Sequence, residues 1–297
     1  MVAARVLVLD TNVYRWSHLD KLARLADRGD VLRVAETSLY ECLARSVEDD
    51  DRGALFNRAR AVAGLLDPVA PIALGGANLT RRIVATVDGR PLDRRGLVVA
   101  DGLQGLWRSI VSGRLTDDQW RDAGRIQREA LDGLDKAHAE LCLNREIQVG
   151  DAVWRDVPVE DARRELRAAF ATHGLKADGF DHVSEEALER IDGNLLSIGF
   201  RVYQAKKGAR TPKKNDGVDA SLALHIGEGC FVVTNDGKMI DLIDESRTYQ
   251  APWVRSLDDL GDLPGDPPWG AAAREVYRSF RRRKTSGGRR APRATAP

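Results

Sequence analysis

The chain has 297 residues, 43% hydrophobic and 31% charged, a balance that excludes wholesale disorder and suits one elaborated domain or two small ones. Its three cysteines, Cys42, Cys142 and Cys230, are far apart and form no CxxC pair. That excludes a disulfide framework or a zinc ribbon and fits a reducing, cytoplasmic setting. The formal net charge of +1 is uneven: Arg274 to Pro297 carries nine Lys/Arg and one Glu (+8), and the remaining 37 basic residues face 44 acidic ones (−7).

Arg5–Leu9 (RVLVL) is a short apolar run and predicts a buried strand. Tyr14–Arg28 predicts a helix with Trp16, Leu19, Leu22 and Leu25 on one face. Asp30–Ala35 predicts a second strand and Thr37–Arg45 a second helix. The middle, from about Asp50 to Leu195, reads as mostly helical over Ala54–Leu66, Asp118–Arg145 and Val159–Thr172. Pro68–Val99 carries no clear pattern. Phe200–Gln204 predicts a strand, Lys206–Lys214 a basic loop, Gly217–Gly227 a helix, Cys230–Thr234 a buried strand and Trp253–Ser256 a last short strand. From Gly261 the chain turns Pro/Gly-rich and is expected to leave the fold, with 263–297 a basic, disordered tail. No apolar run approaches the roughly 20 residues needed to span a bilayer. The opening MVAARVLVLD has no signal-peptide pattern.

Strands alternating with helices predict an α/β fold: a central parallel sheet with helices on both faces, extended by a helical stretch. Ligands in such sheets bind outside the carboxyl ends of the strands. Acids gather at those positions. Asp10 follows RVLVL, Glu41 lies in the helix after the second strand, Asp216 and Asp219 open NDGVDASLALH, and Asp236 follows CFVVT. Each has an ordinary structural reading as a cap or a first-turn charge, and Glu41 stands three residues after Ser38 as in a capping box. Together they are harder to explain that way. Two like charges ~4 Å apart repel by about 4 kcal/mol at an effective dielectric near 20. A divalent cation removes that penalty, and oxygen ligands suit Mg²⁺ or Mn²⁺.

The ordered set Asp10-Thr11-Asn12, Glu41, Asp219 and Thr234-Asn235-Asp236 resembles the PIN-domain nucleases over residues 3–48 and about 198–260. The resemblance implies a three-layer α/β/α core split between 1–50 and 196–262, with 51–195 an insertion foreign to the compact core. It implies that Asp10, Glu41, Asp219 and Asp236 are catalytic, and that with Asp216 they hold one or two Mg²⁺ or Mn²⁺ ions. Thr234 and Asn235 match the lead-in to the last acid. The implied reaction is phosphodiester hydrolysis by metal-activated water. RNA is the usual substrate of the family, with single-stranded DNA in some branches. A homodimer and an inhibitory protein partner are further family possibilities.

Between Arg201 and Lys214 six residues are basic and none acidic. Lys206, Lys207, Arg210, Lys213 and Lys214 are therefore expected to guide a polyanion, with Asn12, Thr234 and Asn235 beside them in substrate binding. Most of the six tryptophans read as core. The histidines show no metal-ligand spacing, and Cys42 has no histidine placed as its base. A haloacid-dehalogenase-type phosphatase needs a second Asp where Asn12 stands, and no GxxxxGK[ST] or GxGxxG follows a strand. The remaining rivals are a catalytically silent binding module and the toxin of a toxin–antitoxin pair.

Overall fold

A computed structural model describes residues 4–15, 18–91, 94–143, 159–170, 183–262 and 271–286. In chain order the elements are β1 (Val6–Leu9), α1 (Thr11–Arg15), α2 (Leu19–Asp27), β2 (Val31–Ala35), α3 (Glu36–Glu48) and α4 (Arg52–Ala63). They continue with β3 (Ile72–Ala73), α5 (Gly76–Val87), α6 (Arg94–Val111), α7 (Asp117–Leu143), α8 (Val159–Phe170) and α9 (Glu185–Lys206). The last are α10 (Asp216–Leu222), α11 (Leu224–Gly227), β4 (Phe231–Val233), α12 (Gly237–Glu245), β5 (Val254–Arg255) and α13 (Ala271–Ser286). Short 3₁₀ turns occupy Ala251–Trp253 and Leu257–Asp262.

The five strands form one parallel sheet in the order β3-β2-β1-β4-β5. β1 lies at its centre, with Leu7 opposite Leu32 on one side and Phe231 on the other. Leu7, Val8 and Leu9 are all buried, because helices cover both faces of a parallel sheet and its strands read as continuous apolar runs. The chain builds outward from β1 to β3, then returns to place β4 on the other side of β1. In sheets of this kind the carboxyl ends of the strands at such a reversal, here β1 and β4, form the usual ligand crevice.

The stretch 51–195, expected as an insertion, is built into this sheet. It supplies β3, whose Ile72 amide and carbonyl are bracketed by the Gln104 side chain at 3.3 and 2.8 Å. That contact occupies an edge strand's backbone groups. Leu55, Phe56, Val62, Trp107, Ile110 and Trp120 join the same apolar cluster as the strands. α7 lies along α3. A Cβ at Gly124 would fall 2.3 Å from Val47 Cγ2, so only glycine admits that approach. Trp120 Nε1 donates to Ser46 Oγ at 2.9 Å across the same contact.

Other expectations change. The strand expected over Phe200–Gln204 is helix: Ser184 caps α9, and Leu188, Ile191 and Leu195 set a helical period that runs on through Phe200. The expected boundary at 195/196 thus falls inside a helix. The helix expected over Tyr14–Arg28 is two, α1 and α2. The tail expected to be disordered contains α13, whose Val276, Tyr277 and Phe280 pack on the core, with Arg281 bonded to Asp244 at 3.0 Å. Residues 263–270 and 287–297 lie outside the described residues, as do Trp16, Trp154 and Trp269. Among the described residues no helix is long and apolar enough to cross a membrane.

Trp107, 3% exposed on α6, tests how far the middle stretch belongs to the fold. Trp107→Ala is expected to lower stability by about 3–5 kcal/mol, the cost of a large core truncation. Urea unfolding followed by far-UV circular dichroism measures it. A loss below about 1 kcal/mol would show that α6 is dispensable to the core.

Candidate active site

Asp10 is the first residue past β1, and its amide donates to Val233 O at 2.9 Å, one rung beyond the strand ladder. Its side chain is 8% exposed and fully engaged. Oδ1 accepts from the Thr11 amide at 2.6 Å, and Oδ2 accepts from Thr234 Oγ1 and Asn12 Nδ2, both at 2.7 Å. Thr234 Oγ1 also accepts from Asn12 Nδ2 and from the Asp236 amide, each at 3.0 Å. Asn12 Oδ1 accepts from the Asn235 amide at 2.7 Å. The two strand ends, 224 residues apart in sequence, are therefore stitched together by Asn12 and Thr234.

The expected substrate contacts separate on this evidence of geometry. Thr234 is 0% exposed and spends its hydroxyl on Asp10, so it orients the acid and does not reach a ligand. Asn12 is half-buried and bound to both strand ends. Asn235 is exposed, with Oδ1 accepting from the Leu257 amide at 3.2 Å and Nδ2 3.3 Å from His18 Nε2.

Glu41 comes from α3 and accepts from Thr11 Oγ1, which ties the first helical turn after β1 to the second strand's helix. Asp236 opens α12, with Oδ1 accepting from the Lys238 amide at 2.8 Å. Asp219 lies in the first turn of α10, half-buried. Its carboxyl is pushed up to about 8, first by burial and then by the charges of Asp10, Asp236, Asp216 and Glu41. Asp10 is pushed up to about 6 by burial, with Glu41 and Asp236 adding to the rise against its hydrogen bonds from Thr234 and Thr11. All four of the other acids expected from the sequence thus act on Asp219, and Glu41 and Asp236 act on Asp10 as well.

α10 reaches this place through two special residues. Asn215 takes a left-handed φ of 73° just before it, a conformation asparagine tolerates. Gly217 faces α7, where a Cβ would meet Leu134 O at 3.0 Å and His138 Cβ at 3.2 Å. Asp135 Oδ2 accepts from the Asn215 amide at 2.9 Å. Asp135 and buried His138 are therefore neighbours of the site that lay in the stretch without a sequence motif. Burial lowers the His138 pKa below its ordinary value, with Asp216, Arg201, Asp135 and Arg210 as its charged neighbours.

Asp216 stands apart from the other acids. It is 2% exposed, its Oδ1 accepts from Arg210 Nη2 at 2.6 Å, and its Oδ2 accepts from the Lys213 amide at 2.8 Å. Arg210, expected to contact substrate, is thereby held by Asp216. Lys207, Lys213 and Lys214 are exposed, and the Lys206 side chain lies outside the described residues. Glu36, a buried acid without a sequence motif, accepts from the Gly75 amide at 2.6 Å and from Tyr40, and so fixes the turn after β3. His225 is buried and pushed down to about 3 by desolvation, consistent with a structural role.

The donor set at the crevice is oxygen only, as hard divalent cations require. Among the described residues no three of these side chains form a ready-made metal cluster. Compared with known proteins, the chain matches no protein-family model, no curated protein and no solved structure.

Asp219 carries a pH signature. The unfolded chain releases this proton near 3.8, whereas the folded chain holds it to about 8. Stability therefore falls as pH rises through that window, and the penalty is complete above about 8. Asp219→Asn is expected to raise the Tm in EDTA by at least about 2 °C at pH 8.5, the response to roughly 1 kcal/mol in a chain of this size. At pH 4 the gain should be near zero. Equal gains at both pH values would contradict the crowding.

Proposed function

We propose that the protein is a metal-dependent nuclease of PIN type, with a three-layer α/β/α core, that hydrolyses phosphodiester bonds of RNA. The observation that carries this reading is the gathering of Asp10, Asp236 and Glu41 around Asp219 at the carboxyl ends of β1 and β4, where burial first and then the neighbouring acids push the Asp219 carboxyl up to about 8. A catalytically silent module gains nothing from such crowding, which costs stability. On this reading the extra length would supply walls of the site through α7 and α9, both of which contact α10.

Asp10, Glu41, Asp219 and Asp236 would hold Mg²⁺ or Mn²⁺, in keeping with their all-oxygen chemistry. The ion would supply an activated water and charge stabilisation at the phosphate. The protein's own residues prepare the site for it. Thr11, Asn12 and Thr234 fix the Asp10 carboxylate through three hydrogen bonds, so it does not turn away from its neighbours. Thr11 also fixes Glu41. Burial and the surrounding charge favour the protonated form of Asp219, a cost that a bound cation would offset. Exposed Lys207, Lys213 and Lys214 draw a polyanion towards an edge that would otherwise repel it. Single-stranded DNA is the alternative substrate, and a homodimer or an inhibitory protein partner is a further possibility.

End-labelled single-stranded RNA and DNA incubated with Mn²⁺, Mg²⁺ or EDTA tests the reading. Cleavage that needs the metal is expected, with Thr234→Val slower by about 10–100-fold and Asp10→Asn slower still, because Thr234 only orients a ligand. Cleavage in EDTA, or wild-type rates in Asp10→Asn, would overturn it. Replacing Lys207, Lys213 and Lys214 with Gln should weaken RNA binding and flatten its salt dependence by up to about 0.7 per lost contact.

A further inference from the structure

Two arginines beside the carboxylates hold hydrogen-bonding capacity that the protein does not use. Arg201 lies in the last turns of α9 and Arg210 in the loop that follows. Both face one carboxylate. Arg210 Nη2 is 2.6 Å from Asp216 Oδ1, and Arg201 Nε is 4.0 Å from the same oxygen. Arg201 Nη1 donates to Gln204 Oε1 at 2.9 Å. Arg201 Nε and Arg210 Nη1 are buried and meet no acceptor among the described residues. Arg52 and Arg128 also hold a buried Nε without an acceptor among the described residues, so what sets this pair apart is that both guanidinium groups face one carboxylate.

The placement is informative. Burial and then the Arg210 charge lower the Arg201 pKa, while Asp216, Asp219 and Glu245 act on it in the opposite sense. Arg201 therefore feels the Asp219 charge, and the Asp216 that both arginines face is itself one of the acids acting on Asp219. Two guanidinium groups share Asp216, whose second oxygen is already taken by the Lys213 amide. Guanidinium forks match the oxygens of a phosphate, which an ammonium meets only as a point charge. Exposed lysines on the same loop steer a chain of phosphates but do not fix one.

Resting on the nuclease reading above, we infer that Arg201 and Arg210 seat one phosphate of a single-stranded RNA substrate beside the acidic crevice, and that Asp216 positions Arg210 for this contact and is not itself a metal ligand. The seat places a phosphate next to Asp219 and so fixes which bond of the strand meets the carboxylates. Arg201, which no motif marks, becomes a substrate-binding residue. Asp216 leaves the ligand set expected from the sequence.

The test separates metal from phosphate. Mn²⁺ affinity is read by calorimetry, and RNA affinity by fluorescence anisotropy of a fluorescein-labelled single-stranded RNA with Ca²⁺ in place of Mn²⁺. Arg210→Gln is expected to weaken RNA binding by about tenfold or more, the size of one charge-assisted contact, and to lower the salt slope by about 0.7. Arg210→Lys should keep the slope but not the affinity. Asp216→Asn should weaken RNA binding by about threefold while holding Mn²⁺ affinity within about twofold, whereas Asp219→Asn loses the metal. Arg201→Gln should resemble Arg210→Gln; since Arg201 is buried in a helix, the loop variants at 210 decide the matter if that chain does not fold. Loss of Mn²⁺ binding in Asp216→Asn, or wild-type RNA affinity in Arg210→Gln, would overturn the seat alone. A wild-type protein that binds neither Mn²⁺ nor RNA would overturn the nuclease reading and the seat with it.

Discussion

Four carboxylates, Asp10, Glu41, Asp219 and Asp236, share one edge of the sheet, and their burial beside one another is the constraint around which the rest is arranged. Asp10 cannot retreat, because Thr11, Asn12 and Thr234 grip both its oxygens. Asp219 cannot retreat either, because α10 is pressed against α7 at Gly217. Burial and neighbouring charge then hold Asp219 at about 8, far above the ordinary carboxylate range. An arrangement this unfavourable persists only because the surrounding fold over-determines it, which is typical of functional sites.

The fold imposes the crowding through topology. β1 and β4 are neighbours although more than 220 residues separate Leu9 from Val233. Their carboxyl ends open at the point where strand order reverses, and the two acids that follow them meet there. The helices between them are not passengers. α6 closes the β3 edge through Gln104, α7 backs both α3 and α10, and α9 carries Arg201 to the site. A compact sheet with only its flanking turns would lack the wall against which α10 is set.

Legibility in the sequence followed the physics of each element. β1 and β4 were plain because a doubly covered parallel strand is a continuous apolar run, and the polar residue after it marks the strand end. Asp10 and Asp236 stood out for that reason, whereas Glu41 and Asp219 lie inside helices and entered through the resemblance of the ordered set to a nuclease family. β3 was not, since two residues, Ile72 and Ala73, give no period. Phe200–Gln204 misled because an aromatic and β-branched string of five suits a strand locally, while the Leu188–Leu195 stripe that makes it helix lies upstream. α13 was hidden by its charge, although Val276, Tyr277 and Phe280 share one face of it. The pairing of Asp216 with Arg210 was also hidden, because both residues read as site groups and nothing in their spacing shows them neutralising each other.

The central claim is that these carboxylates, and not another part of the molecule, take up a divalent cation. Anomalous diffraction from crystals soaked in Mn²⁺ addresses it directly. A peak at the carboxyl ends of β1 and β4, with oxygens of Asp10 and Asp219 in its coordination shell, is the expected result. A map with no peak in that crevice, or with Mn²⁺ bound only elsewhere, would contradict it.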